Sequence, residues 1–166
     1  MFTKGDKVVY PHHGAAVIED LQEREILGER RTYFVLRLAH QDLTLMVPVD
    51  NTDEVGLREV VSKREVKKVF EILREDEVSK APTNWNRRFK TNVEKLRSGD
   101  IFQVAEVVRS LSLREKEKGL SAGEKHMLAK ARQILISELT FAFDSTEEKA
   151  EAMLDRVLDE AYRAQA

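Results

Sequence analysis

Two hydrophobic rhythms divide the chain. Up to about residue 50, apolar and polar residues alternate in short runs that suit half-buried strands. The runs are Lys7-Val8-Val9-Tyr10, then Gly14 through Ile26, then Arg30 through Ala39, then Leu43-Thr44-Leu45-Met46-Val47. The third is centred on Tyr33-Phe34-Val35-Leu36-Arg37-Leu38, whose aromatic and branched side chains favour a pleated surface. Pro11 with His12-His13-Gly14, Leu27-Gly28-Glu29, His40-Gln41-Asp42 and Pro48 punctuate the runs. Gly28 is free to take the positive φ that a tight turn requires. Short strands joined by tight turns predict a small antiparallel barrel.

From residue 62 the period becomes helical. Ser62-Lys63-Arg64-Glu65 is a capping box, and Val66, Val69, Phe70 and Leu73 follow on one face. The pattern breaks at Lys80-Ala81-Pro82. A second helix is expected from Thr83 or Asn84 to just before Gly99. Asp100 caps a third, with Ile101, Val104, Ala105 and Val108 on one side and Gly119 past its end. Ser121-Ala122-Gly123-Glu124 opens a long fourth helix to about Phe143. Ser145-Thr146-Glu147-Glu148 opens a fifth, with Ala150, Met153, Leu154, Val157, Leu158 and Ala161 as its apolar stripe. The expected fold is α+β in two domains: an antiparallel β-barrel over residues 1–55, a connector over 56–63, and an all-α bundle over 64–166.

Composition narrows the function. The 166 residues make one ordinary domain or two small ones, and 42% apolar residues suffice for a core. No apolar run approaches the ~20 residues of a membrane-spanning helix. Met1 through Asp6 lack the apolar core of a secretory leader, so a cytoplasmic protein is expected. The absence of cysteine excludes disulfides, a thiolate nucleophile and zinc sites with Cys ligands. The net charge of −2 does not by itself announce a nucleic-acid partner. Its distribution is uneven: −3 over residues 1–80, +5 over 81–130 and −4 over 131–166. A basic island between acidic ends suits an anionic partner, although solvated helix faces would look the same.

No catalytic motif is present: no G-x-S-x-G, phosphate-binding loop, dinucleotide fingerprint or H-E-x-x-H. His12 and His13 would point to opposite sides of an extended strand, and His40 and His126 are distant, so a turn or packing role suits the pair better than a metal. These features predict a binding protein with no catalytic residue, no metal and no cofactor. Trp85, the only tryptophan, lies in Asn84-Trp85-Asn86-Arg87-Arg88-Phe89-Lys90. An aromatic ring among three cations suits nucleic-acid contact. Against this, Trp85, Phe89, Val93 and Leu96 fall within about an 80° arc, so helical periodicity alone places the ring in the core.

These residues, with Gly5-Asp6-Lys7-Val8-Val9-Tyr10-Pro11-His12-His13-Gly14, Asp42-Leu43-Thr44-Leu45-Met46-Val47-Pro48 and Val55-Gly56-Leu57-Arg58, resemble the CarD/CdnL family of bacterial transcription regulators. Pro82-Thr83-Asn84-Trp85-Asn86-Arg87-Arg88, Gly119-Leu120-Ser121-Ala122-Gly123-Glu124-Lys125 and Met127-Leu128-Ala129-Lys130-Ala131-Arg132 extend the resemblance over essentially the whole chain. It implies a Tudor-like N-terminal domain that binds the β subunit of RNA polymerase by edge-strand addition. The implied strand is Leu43, Thr44, Leu45, Met46 and Val47, with Arg24 and Ile26 on the neighbouring strand. Some relatives carry arginine where Met46 stands, so any salt bridge made there is absent from this chain. The resemblance further implies a helical DNA-binding domain. In it Trp85 wedges into the minor groove at the upstream edge of the transcription bubble, and Arg87, Arg88, Lys90 and Lys125 hold phosphates with little sequence preference. A monomer is expected, associated with the nucleoid through polymerase. The alternative reading is a ribosome-associated RNA-binding protein with an SH3-like barrel. A hydrolase using His12 and His13 is a third, remote reading.

Overall fold

The computed structural model describes residues 2–11, 13–39, 42–75 and 84–165. His12, His40 and the break expected at Lys80-Ala81-Pro82 lie outside the described residues. Strands β1 (Lys7–Tyr10), β2 (Gly14–Ile26), β3 (Glu29–Leu38) and β4 (Thr44–Pro48) follow the alternating runs. They pair antiparallel, and with β5 (Arg58–Glu59) the order is β4-β3-β2-β1-β5. Leu27 and Gly28 both take positive φ, 52° and 80°, in the two-residue turn between β2 and β3. This mirror-image turn matches the twist of the hairpin it joins. Val8, Ala16, Ile18, Phe34, Leu36, Leu38, Val47 and Leu57 form the core of this unit.

The connector expected over residues 56–63 is not a free linker. After a 3₁₀ turn at Val49–Asn51 and the short helix α1 (Thr52–Val55), Leu57 enters the sheet core and β5 pairs with β1, Val8 opposite Glu59 and Val9 opposite Arg58. A two-residue strand is too short to leave a periodic signal, so the sheet extends past residue 55.

Five longer helices follow: α2 (Lys63–Arg74), α3 (Trp85–Arg97), α4 (Ile101–Glu117), α5 (Ala122–Ala142) and α6 (Glu147–Gln165). Their starts are set by local side-chain chemistry. Ser62 and Ser121 make complete capping boxes with Glu65 and Glu124. Asn84 and Asp100 accept from backbone N–H groups at their helix starts, and the Lys149 N–H donates to Thr146 Oγ1. The expected stripes of α2 and α4, with Ala150, Leu154, Val157 and Leu158 of α6, enter one core, where Leu73, Val108 and Leu154 are fully buried. Among the described residues, no helix is long and apolar enough to cross a membrane.

Sheet and helices meet at Arg58. Its Nη1 and Nη2 donate to the two carboxylate oxygens of Glu138 on α5, at 2.7 and 2.6 Å. Its Nε donates to the carbonyl of Gly99, at the turn between α3 and α4, at 2.7 Å. Glu138 is 0% exposed and also accepts the Val61 N–H at 2.8 Å. Nearby, the Ala15 N–H on β2 donates to Ser137 Oγ at 3.0 Å. Pro11 packs so closely on Gly99, which has φ +75°, that a Cβ there would stand 3.0 Å from the proline ring. Residues 134–139 of α5 are buried on every side, because this half of the helix also covers β2. A helix enclosed all round loses its amphipathic signature.

Candidate functional site

Trp85 occupies the first turn of α3, where Asn84 Oδ1 accepts from the N–H groups of Asn86 and Arg87 at 2.8 and 3.4 Å. The indole is 43% exposed, so helical periodicity misplaces it. The reason is position: it stands at the end of the stripe, beyond the helices that cover the rest. Its ring stacks on Phe89 with centroids 5.1 Å apart and planes 17° apart. Its Nε1–H donates to Glu124 Oε1 on α5 at 3.3 Å.

Arg87 and Lys90 on α3 and Lys125 on α5 are exposed, as a phosphate contact requires. Arg88 is placed otherwise. It is 8% exposed, and its Nε donates to Glu124 Oε2 at 3.4 Å. The buried face of α3 is centred on Arg88, Asn92 and Leu96, while Phe89 and Val93 are only half-buried. At 100° per residue this face is turned roughly 55° from the apolar stripe. An ion pair with α5 buries an arginine that hydrophobicity would leave outside. Arg88 thus supports the site from within, and in this arrangement its guanidinium is not presented to a phosphate.

Glu124 is the residue that sequence reasoning recognised only as a helix cap. It accepts from the Ser121 N–H and Oγ–H, binds Trp85 and Arg88, and lies 3.8 Å from Arg114 Nε on α4. Arg88 Nη2 and Arg114 Nε are buried and, among the described residues, have no hydrogen-bond partner. Burial pushes the Glu124 carboxyl up, but the Ser121 N–H and the Arg88 charge outweigh it and hold the group below the ordinary carboxylate value of 4.5. A carboxylate depressed in the folded state stabilises the fold above its unfolded pKa, and that contribution is lost as pH falls through the folded pKa. The wild type should therefore lose more stability than Glu124→Gln on acidification below about pH 4.5. Melting temperatures of both proteins between pH 6 and pH 3 check this, and parallel curves would refute it.

The second candidate surface is the open edge of the sheet. Strand β4 has β3 on one side and, among the described residues, no strand on the other. The Leu38 N–H donates to the Leu43 carbonyl at 3.1 Å. In the antiparallel register this pair and Leu36 with Leu45 face each other through hydrogen bonds, which leaves the N–H groups of Thr44 and Met46 pointing outward. By alternation, Thr44 and Met46 share a face with Val35, and through it with Arg24 and Ile26 of β2. Leu45 and Val47 turn to the other face, where they join the sheet core. Arg24 Nε and Nη2 both donate to Gln22 Oε1, at 3.2 and 2.9 Å. Leu21, Ile26, Leu27, Leu43 and Met46 are exposed apolar side chains of this unit.

Neither surface has the makings of a metal site: among the described residues, no three His, Cys, Asp or Glu side chains gather closely enough to hold an ion. His13 turns back on β1, its ring 5.1 Å edge-on from Tyr10.

Residues 2–61 match the CarD-like/TRCF RID domain, an RNA polymerase-interacting domain, and residues 68–155 match the CarD C-terminal domain. The chain is 38% identical over 149 residues to the candidate transcription factor YdeB of Bacillus subtilis (strain 168), covering 90% of this chain and 97% of that protein. Among solved structures, it is similar to the 72-residue N-terminal domain of Myxococcus xanthus CarD, with 27% identity and a TM-score of 0.32. That likeness covers 36% of this chain and 79% of the other. It is also similar to CdnLNt from Myxococcus xanthus, with 35% identity, a TM-score of 0.33, and coverage of 38% and 89%.

Proposed function

We propose, from the premise that this chain belongs to the CarD family of transcription regulators, that it joins RNA polymerase to promoter DNA through its two exposed surfaces. The family consists of transcription factors and not enzymes, and its N-terminal domain, an RNA polymerase-interacting domain, supports a polymerase partner. The transcription-factor family takes the place of the ribosome-associated reading. In the proposed mechanism the outward edge of β4 adds to a sheet of the polymerase β subunit, with Arg24, Ile26 and Met46 on the adjoining face. Trp85 then meets the minor groove at the upstream edge of the bubble, and Arg87, Lys90 and Lys125 take nearby phosphates. Arg88 enters this reading as a buried support.

The observation that carries the proposal is the exposed Trp85 ring, held at the start of α3 among exposed cations. An aromatic wedge gains most where base steps are already unstacked, as at a bubble fork. Phosphate contacts add affinity without reading sequence. A protein that binds the open complex better than the closed one shifts the balance by that difference in affinity, tenfold for about 1.4 kcal/mol. No bond need be made or broken.

The polymerase half is tested at Met46. Proline there removes an outward N–H and leaves the inward bonds of β4 in place. One lost backbone bond with an unsatisfied partner corresponds to about 1–3 kcal/mol, or roughly 5- to 150-fold in affinity. Met46→Pro should therefore bind isolated polymerase β at least fivefold more weakly while keeping its melting temperature. A folded variant with full affinity would show that this edge is not the contact.

A further inference from the structure

Three helix ends converge on one carboxylate. Glu124, in the first turn of α5, receives the Trp85 indole N–H and the Arg88 guanidinium from the start of α3, and Arg114 approaches from the end of α4. The same capping-box motif at Ser62 and Glu65 shows what capping alone requires. There the glutamate makes the equivalent bonds to Ser62 and remains exposed. Glu124 caps its helix in the same way, yet it is 2% exposed. Burying a carboxylate is costly unless charges and donors meet it, and an apolar side chain could fill the same space at less expense. The partners that meet it here belong to the turn that carries Trp85.

We propose that Glu124 is a positioning residue for Trp85: it holds the indole on Phe89 in the free protein, so the ring is already aligned when DNA arrives. The inference rests on the reading of Trp85 as the DNA contact and extends it to what orders that contact. Phe89 supplies the floor of the seat. The edge of its ring meets the first turn of α5, with Cε2 3.5 Å from where a Gly123 Cβ would stand, and the indole stacks on it with planes 17° apart. Glu124 Oε1 fixes rotation of the indole in its plane through Nε1. Oε2 ties Arg88, one turn along α3, to the same carboxylate and so holds the helix start against α5. A half-exposed tryptophan without such a seat would have to be ordered on binding. Immobilising one such side chain corresponds to about a 2- to 10-fold loss in the favoured complex.

Trp85 is the only tryptophan, so its fluorescence reports on the seat directly, without polymerase or DNA. The full-length Glu124→Ala protein is compared with Glu65→Ala, which removes the same motif glutamate from the other capping box. Glu124→Ala should show added nanosecond depolarisation of the indole and a shifted emission maximum, and Glu65→Ala neither. A folded Glu124→Ala protein with wild-type anisotropy decay overturns the proposal. Should Glu124→Ala fail to fold, Glu124→Gln takes its place. Its single amide oxygen must serve the donors of Trp85, Arg88 and Ser121, so partial loosening is expected and a wild-type decay again overturns the proposal.

The consequence is read as the lifetime of promoter open complexes with purified polymerase. Glu124→Ala should shorten it about 2- to 10-fold. If Trp85→Ala shortens the lifetime while a loosened Glu124→Ala does not, the positioning role is overturned. If Trp85→Ala leaves the lifetime unchanged, the DNA reading of Trp85 fails, and the anisotropy still decides whether Glu124 seats the ring.

Discussion

Replacing Glu138 with alanine should lower the stability of the whole chain by about 3 kcal/mol, near the lower end for breaking a buried ion pair because Arg58 keeps some access to water. For a protein of this size that corresponds to a fall in melting temperature of roughly 6–12 °C. The substitution leaves the Arg58 guanidinium without its bidentate partner and the Val61 N–H without an acceptor. It also removes the buried ion pair between sheet and helices and leaves the Arg58–Gly99 and Ala15–Ser137 bonds, so the unfolding transition should broaden or split. Lys7→Ala is the control. Lys7 pairs with Asp144 across the same junction at 3.6 Å, with the Lys7 side chain 44% and the Asp144 side chain 94% exposed, and its loss should be nearly neutral. Thermal unfolding followed by circular dichroism reads both. Equal small losses in the two variants would mean that Arg58 and Glu138 do not hold the halves together. A cycle of Arg58→Ala, Glu138→Ala and the double variant would give the coupling itself.

Trp85→Ala should separate stability from function. A fully buried tryptophan costs about 3–5 kcal/mol on truncation. The Trp85 ring is 43% exposed, with one stacked face and one hydrogen bond, so a loss nearer 1–2 kcal/mol is expected. Open-complex lifetime, compared at equal concentrations of folded protein, should fall far more. Base–aromatic stacking is worth about 1–3 kcal/mol by alanine substitution, or roughly 5- to 150-fold. Binding to isolated polymerase β should be unchanged, because β4 lies far along the chain in the sheet. A loss above 3 kcal/mol with an unchanged lifetime would return Trp85 to a packing role.

In the proposed reading, the anchoring of α5 by Glu138 changes how the two surfaces would work together. Two modules on a loose connector would raise the local DNA concentration only in proportion to the connector's reach. Here Arg58 ties the strand after the sheet core both to α5 and to the turn at Gly99 that ends α3. The sheet edge and Trp85 are therefore carried on connected elements, and in the proposed reading an interaction at one surface would bear on where the other is presented.

What the amino-acid sequence determined by itself is whatever depends on neighbours a few residues apart. Alternation over Tyr33 to Leu38 is enough for a strand. Ser62, Asn84, Asp100, Ser121 and Thr146 start helices because each side chain reaches a backbone N–H two or three residues on. The strands β1 to β4, the five long helices and the candidate strand Leu43 to Val47 were legible for that reason, as was the basic segment around Trp85. Tertiary structure alone decided the rest, because the partners are distant in the chain. Arg58 and Glu138 are 80 residues apart, and Trp85 and Glu124 are 39 apart. Strand β5 exists only because β1 offers it an edge, and Arg88 is buried only because Glu124 waits on another helix. The exposure of Trp85 was decided by where α3 begins relative to α5. Periodicity describes which way a residue faces on its own helix, and it carries no information about how far the covering elements extend.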